Sequence, residues 1–141
     1  MNQSFNLITF LQLAGASHLA LLVAGIMMPQ VVGMRSELRR LPEFLRQLFW
    51  TYYLFIGTTI LGFGLLTFFC AEQLAAGDPF ARAVGSFLAL FWLARFAVAV
   101  AVFKMDRYLT NPLFKIGYFL LNALFLYSVI VYAIAAFHHF K

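Results

Sequence analysis

The 141-residue chain is 64% hydrophobic and 11% charged, with a mean hydropathy of +0.89. A soluble domain of this size carries roughly 25% charged residues, and a 16.0 kDa globule has too little interior for eighteen Phe spread along its length, so lipid is part of the solvent. The net charge of +5 lies in basic residues between apolar runs, not in a surface stripe, which fits retention at a membrane face and excludes a nucleic-acid partner.

Four stretches have the ~20 apolar residues that cross hydrocarbon as a helix. The first, 6–29, carries no formal charge, and Pro29 is expected to end it. Met1 to Phe10 contains no basic n-region, so this span is read as retained, not as a cleaved signal peptide. The first connection, Val31 to Arg46, holds Arg35, Glu37, Arg39, Arg40, Glu43 and Arg46. It predicts a short interfacial helix broken near Pro42, with Val31, Met34, Leu38 and Leu41 on one side. The second span, 47–71, is uncharged, and the single Cys70 near its end reads as a small hydrophobe without a CxxC partner. Gly77-Asp78-Pro79 sets a capping Asp before a Pro at the first helical position. It opens a third span, 80–103, with Arg82 at its start and Arg95 inside. Asn111-Pro112 repeats the device before the fourth span, 113–137. Continuous apolar runs, without the alternation of barrel strands, require helices. The predicted fold is all-α: an integral membrane four-helix transmembrane bundle, a single domain over 1–141, made of two helical hairpins with the termini on the same side.

Orientation follows from the Lys and Arg near the span ends. Arg35, Arg39, Arg40, Arg46, Lys104, Arg107 and Lys115 lie at one end, and only Arg82 and Lys141 at the other. This predicts a bacterial inner (plasma) membrane protein with both basic connections in the cytoplasm and both termini outside.

The informative residues in hydrocarbon are those that cost something. Arg95 precedes Lys104 by nine residues, ~13 Å from that boundary, and an Arg at the bilayer centre costs at least ~2.5–3.5 kcal/mol. Either its stem snorkels to the headgroups, or it faces the bundle interior with Phe91 and Trp92 on the same helix face. Asn122 and Tyr53 each lie six residues inside their uncharged runs, and His18 lies eleven residues before Pro29, nearer the midplane. His18 aligns with Gly15, Leu22 and Gly25, and Tyr53 with Gly57 and Gly64; small residues mark close helix contacts in membranes. Arg95, Asn122, Tyr53 and His18 thus form a candidate ligand-binding set, one from each span. The blander reading is interhelical glue, worth roughly 0.6 kcal/mol per hydrogen bond.

No carboxylate lies within a span, since Glu37, Glu43, Glu72, Asp78 and Asp106 are all in connections or at ends. This argues against a proton-coupled exporter, which needs a titratable carboxylate in its path. His138 and His139 lie at the opposite end from any axial partner for His18, so no haem is expected, and no metal or other cofactor either. No HExxH, GxSxG or phosphate-cradling glycine motif assigns a catalytic residue. Three functions remain. The first is a subunit or assembly partner of a larger membrane complex, or a homo-oligomer, from small-residue pairs such as Ala97 and Ala101 or Ala16, Ala20 and Ala24. The second is a site for a lipid- or quinone-like amphiphile in the cytoplasmic half of the bilayer, with Arg95 holding its oxygen. The third is an oligomeric anion pathway that uses Arg95 as its charge.

Overall fold

The computed structural model describes residues 2–102 and 112–137. Lys104, Asp106, Arg107, Asn111, His138, His139 and Lys141 lie outside the described residues, and with them part of the charge count and the second Asn-Pro cap. The elements in order are α1 (Asn2–Val31), α2 (Met34–Leu38), α3 (Glu43–Phe69), α4 (Ala71–Ala75), α5 (Pro79–Ala101) and α6 (Pro112–Phe137). Among the described residues there is no strand, and α1, α3, α5 and α6 are each long and apolar enough to cross a membrane. The chain is an all-α integral membrane bundle.

Pro29 does not end the first helix: α1 continues through it to Val31. A proline inside a helix leaves the carbonyl of residue i−4 without its N–H partner. That carbonyl belongs to Gly25, and the Tyr53 hydroxyl of α3 donates to it. The vacancy is filled from a neighbouring helix, which in lipid is the condition for tolerating such a residue. The second long helix begins at Glu43, four residues before the expected start, and ends at Phe69 rather than Ala71. Pro42 precedes it, Glu43 complements the positive end of its dipole, and Gln47 Nε2 donates to Glu43 Oε1 at 3.2 Å. The cap before α5 forms as the sequence predicts, with Asp78 Oδ1 accepting from the Ala81 N–H at 2.7 Å and Pro79 at the first helical position.

Two hairpins, α1 with α3 and α5 with α6, make the most extensive contacts, and α1 against α6 joins them. The short α4 buries Ala71, Leu74 and Ala75 against α1 and α5. The bundle is packed unevenly along its axis. In the half that holds the start of α1 and the end of α6, here the terminal half, helices meet backbone to backbone. A Cβ on Gly15 would come within 2.7 Å of the Phe68 nitrogen, one on Gly64 within 2.7 Å of His18 Cβ, and one on Gly85 within 3.3 Å of the Ala136 nitrogen. Toward the other end, the basic half that carries α2, burial thins out. No residue of α3 from 43 to 63 is buried, nor any of α6 from 112 to 124, and α5 beyond Trp92 buries only Ala99.

Candidate functional site

Where the hairpins stand apart in the basic half they leave a cavity of about 350 Å³, within the range of roughly 300–1,000 Å³ usual for ligand pockets. Its wall runs from Leu21 on α1 to Val32 just past that helix, from Tyr53 to Ile60 on α3, and from Leu113 to Phe125 on α6, with Arg95 and Ala99 from α5. The lining is almost wholly aliphatic and aromatic. Tyr53 and Tyr118 bring hydroxyls, but both donate to backbone carbonyls, Tyr53 to Gly25 and Tyr118 to Ala99 at 3.1 Å. Among the described residues Arg95 supplies the only charge in the wall.

The direction of α5 explains why Arg95 stays inside. Helical side chains lean toward the N-terminus of their own helix, and the N-terminus of α5 is at the terminal half. Snorkelling to the basic end would run against that lean. The half-buried Arg95 instead places its Cζ 5.5 Å from the centroid of the Phe125 ring on α6, in cation–π range. The aromatic partner is therefore on another helix, not a neighbour on α5.

Phe125 is also the inner wall of the cavity. Behind it lies Trp92, stacked at 5.5 Å and 26°, and behind Trp92 lies His18, edge-to-face at 5.0 Å. His18 and Trp92 are fully buried. The His18 Nδ1–H donates to the Ala14 carbonyl at 2.6 Å, so in the neutral ring the lone pair is on Nε2. Nε2 and the Trp92 Nε1–H are both buried without a hydrogen-bond partner among the described residues. The same core holds Thr67 and Tyr132, whose hydroxyls meet at 2.7 Å between α3 and α6, and Ser128, which donates to the Leu124 carbonyl at 2.9 Å.

The four residues singled out from the sequence separate into three environments. Arg95 and Tyr53 line one cavity. His18 sits behind its inner wall, joined to it through the Trp92 and Phe125 rings. Asn122 lies beside the wall, next to Leu121, with Nδ2 donating to the Tyr118 carbonyl of its own helix at 2.9 Å. Its Oδ1 is buried and accepts no hydrogen bond from the described residues, Arg95 included. Sequence reasoning overlooked Phe125, Thr67 and Tyr132. Their signals were weak, because a Phe among eighteen and hydroxyl residues in apolar runs have nothing to mark them.

Chemically, the described residues of the site offer one permanent cation inside a largely apolar enclosure. Arg does not deprotonate at accessible pH, so it can bind and orient an oxygen but cannot act as a base. Among the described residues no three His, Cys, Asp or Glu side chains gather as metal ligands would. The chain matches no protein-family model, no curated protein and no solved structure.

Proposed function

We propose that this integral membrane protein holds an amphiphile between its hairpins, a lipid- or quinone-like molecule whose anionic or carbonyl oxygen meets Arg95. The observation that carries the reading is a guanidinium, the only charge among the described residues of the wall, in a largely apolar cavity of about 350 Å³. Keeping a cation at that depth is costly, and cation–π contact with Phe125 offsets part of the cost, about 0.5–2 kcal/mol. The apolar body of an amphiphile matches the aliphatic wall, and a guanidinium fork matches an anionic or carbonyl oxygen.

The test is to purify the protein in mild detergent, extract it with organic solvent and identify what it carries by mass spectrometry. One amphiphile near one per chain is expected. Gly117 lines the cavity, and a Cβ placed there meets nothing within 4 Å, so Gly117→Leu fills the cavity without a backbone clash. It should fold and lose the ligand. Equal lipid content in wild type and Gly117→Leu would end this reading.

A second reading, a subunit or assembly partner of a larger membrane complex, has its own support. Ala16, Ala20 and Ala24 share one exposed face of α1, and Ala97 and Ala101 are exposed on α5, where small residues permit close approach of another helix. Copurification of one stoichiometric partner, lost on Ala20→Phe, is its test. An anion pathway through one chain is disfavoured, because the stacked Phe125 and Trp92 close the inner end of the cavity.

We place the basic half in the cytoplasmic leaflet of a bacterial plasma membrane, with the termini outside. Arg35, Arg39, Arg40, Arg46 and Lys115 lie toward that half, and Arg82 toward the other. In a Cys70→Ser background, an impermeant thiol reagent on intact cells should label Gln73→Cys and spare Ser36→Cys. The converse pattern inverts the topology.

A further inference from the structure

The connection between α1 and α3 does more than turn the chain. Gly33, in the left-handed region at φ +64°, ends the exit from α1, and Pro42 begins α3. Folded between these bends, α2 leaves a concave space of about 460 Å³ lined by Arg35, Leu38, Arg39, Arg46 and Trp50. Arg35 and Arg39 are four residues apart, a spacing at which like charges destabilise a helix, and Arg46 adds a third cation. Neither nearby carboxylate relieves them. Glu37 pairs with Arg40 at 3.4 Å outside this space, and Glu43 accepts from Gln47. Among the described residues none of the three lining arginines has an ion pair.

Three arginines lining one space beside a tryptophan, with the local acids turned elsewhere, form a site for a group carrying concentrated negative charge. Guanidinium forks match the oxygens of a phosphate. The surroundings specify the source. Leu41, Phe44, Leu45 and Leu48 are exposed beside the arginines, which sets the pocket at the level where acyl chains meet headgroups, and Trp50 is the residue type that sits there. We infer that Arg35, Arg39, Arg46 and Trp50 bind the phosphodiester headgroup of an anionic phospholipid, at a site separate from the cavity that holds Arg95. The inference is independent of what that cavity binds.

The experiment titrates delipidated full-length protein with phosphatidylglycerol or phosphatidylcholine and counts bound lipid by native mass spectrometry. Wild type should prefer phosphatidylglycerol by at least about tenfold. Arg39→Gln and Arg40→Gln remove the same charge at adjacent positions, but only Arg39 lines the pocket. Arg39→Gln should weaken phosphatidylglycerol about fivefold, at about 1 kcal/mol per basic residue, and Arg40→Gln by no more than about twofold. The triple replacement of Arg35, Arg39 and Arg46 by Gln should cost roughly a hundredfold and abolish the preference. Equal losses in the two single variants would overturn the pocket in favour of diffuse charge. Retained preference in the triple variant would overturn it outright. Displacement of the lipid by millimolar inorganic phosphate would make the ligand a soluble anion and overturn the lipid assignment, whereas failure of phosphate to compete supports it.

Discussion

In the terminal half of the bundle, Gly15 lies on Gly64, Gly85 lies on Ala136, and the hydroxyls of Thr67 and Tyr132 close the gap between α3 and α6. In the basic half the same four helices stand apart, and Gly25 and Gly117 face open space. Both halves are apolar and both contain glycine, so composition does not set the difference. Lipid tails are as apolar as leucine and give helices no hydrophobic reason to meet. Contact comes where a small residue on one helix opposes backbone or another small residue, and where polar side chains find partners across the seam. A glycine without such an opposite number builds no contact. The terminal half therefore holds the bundle together, and the basic half encloses the cavity.

Perturbing the packed half should cost most. Trp92 is fully buried between His18 and Phe125, so Trp92→Ala leaves a large void and should destabilise the protein by about 3–5 kcal/mol. Thermal unfolding in detergent reads this, and a loss below about 1 kcal/mol would mean that the core is not where the structure puts it. Next come two glycines of α3. Gly64→Ala drives a methyl to 2.7 Å from His18 Cβ and 3.1 Å from the Gly15 carbonyl, an overpacking worth about 1–3 kcal/mol. Gly62→Ala, two residues away, meets nothing within 4 Å and should be neutral or stabilising by about 0.5–1 kcal/mol, as Ala is favoured over Gly in a helix. If the two variants unfold at the same temperature, the contrast between packed and open faces is wrong.

A smaller effect should come from the hydroxyl pair. Thr67→Val and Tyr132→Phe each leave one buried hydroxyl unpaired, while the double variant leaves none. A double-mutant cycle should give a coupling of about 0.6 kcal/mol and no more than about 1.7 kcal/mol. Zero coupling would remove this bond from the seam.

The sequence shows the spans, their hairpin order and the Asp78-Pro79 cap, because hydropathy and capping chemistry are local. It also places Arg95, Tyr53 and His18 at depth, since depth is distance along a helix. It does not show which of them share a space. Thr67 illustrates why: Thr51, Thr58 and Thr59 are exposed and donate to carbonyls four residues back on their own helix. A threonine in a span needs no partner elsewhere, so nothing marks Thr67 as the one that reaches 65 residues away to Tyr132. Pro29 misleads for the converse reason. The sequence rule stops the helix there, but Tyr53 satisfies the Gly25 carbonyl from another element. The parting of the hairpins around Arg95 is likewise a relation between helices, carried by no single run of residues.

We propose that the open half holds an oxygen-bearing amphiphile on Arg95, while the packed half carries stability. Arg95→Gln and Arg95→Lys test the two parts together, with thermal unfolding and extracted ligand measured on the same preparations. The unfolding free energy of Arg95→Gln should change by about 1 kcal/mol or less, yet the variant should carry no amphiphile. Arg95→Lys, which keeps the charge but loses the planar fork, should retain part of it. An Arg95→Gln protein that is folded and still carries the wild-type amphiphile in full amount would contradict the account.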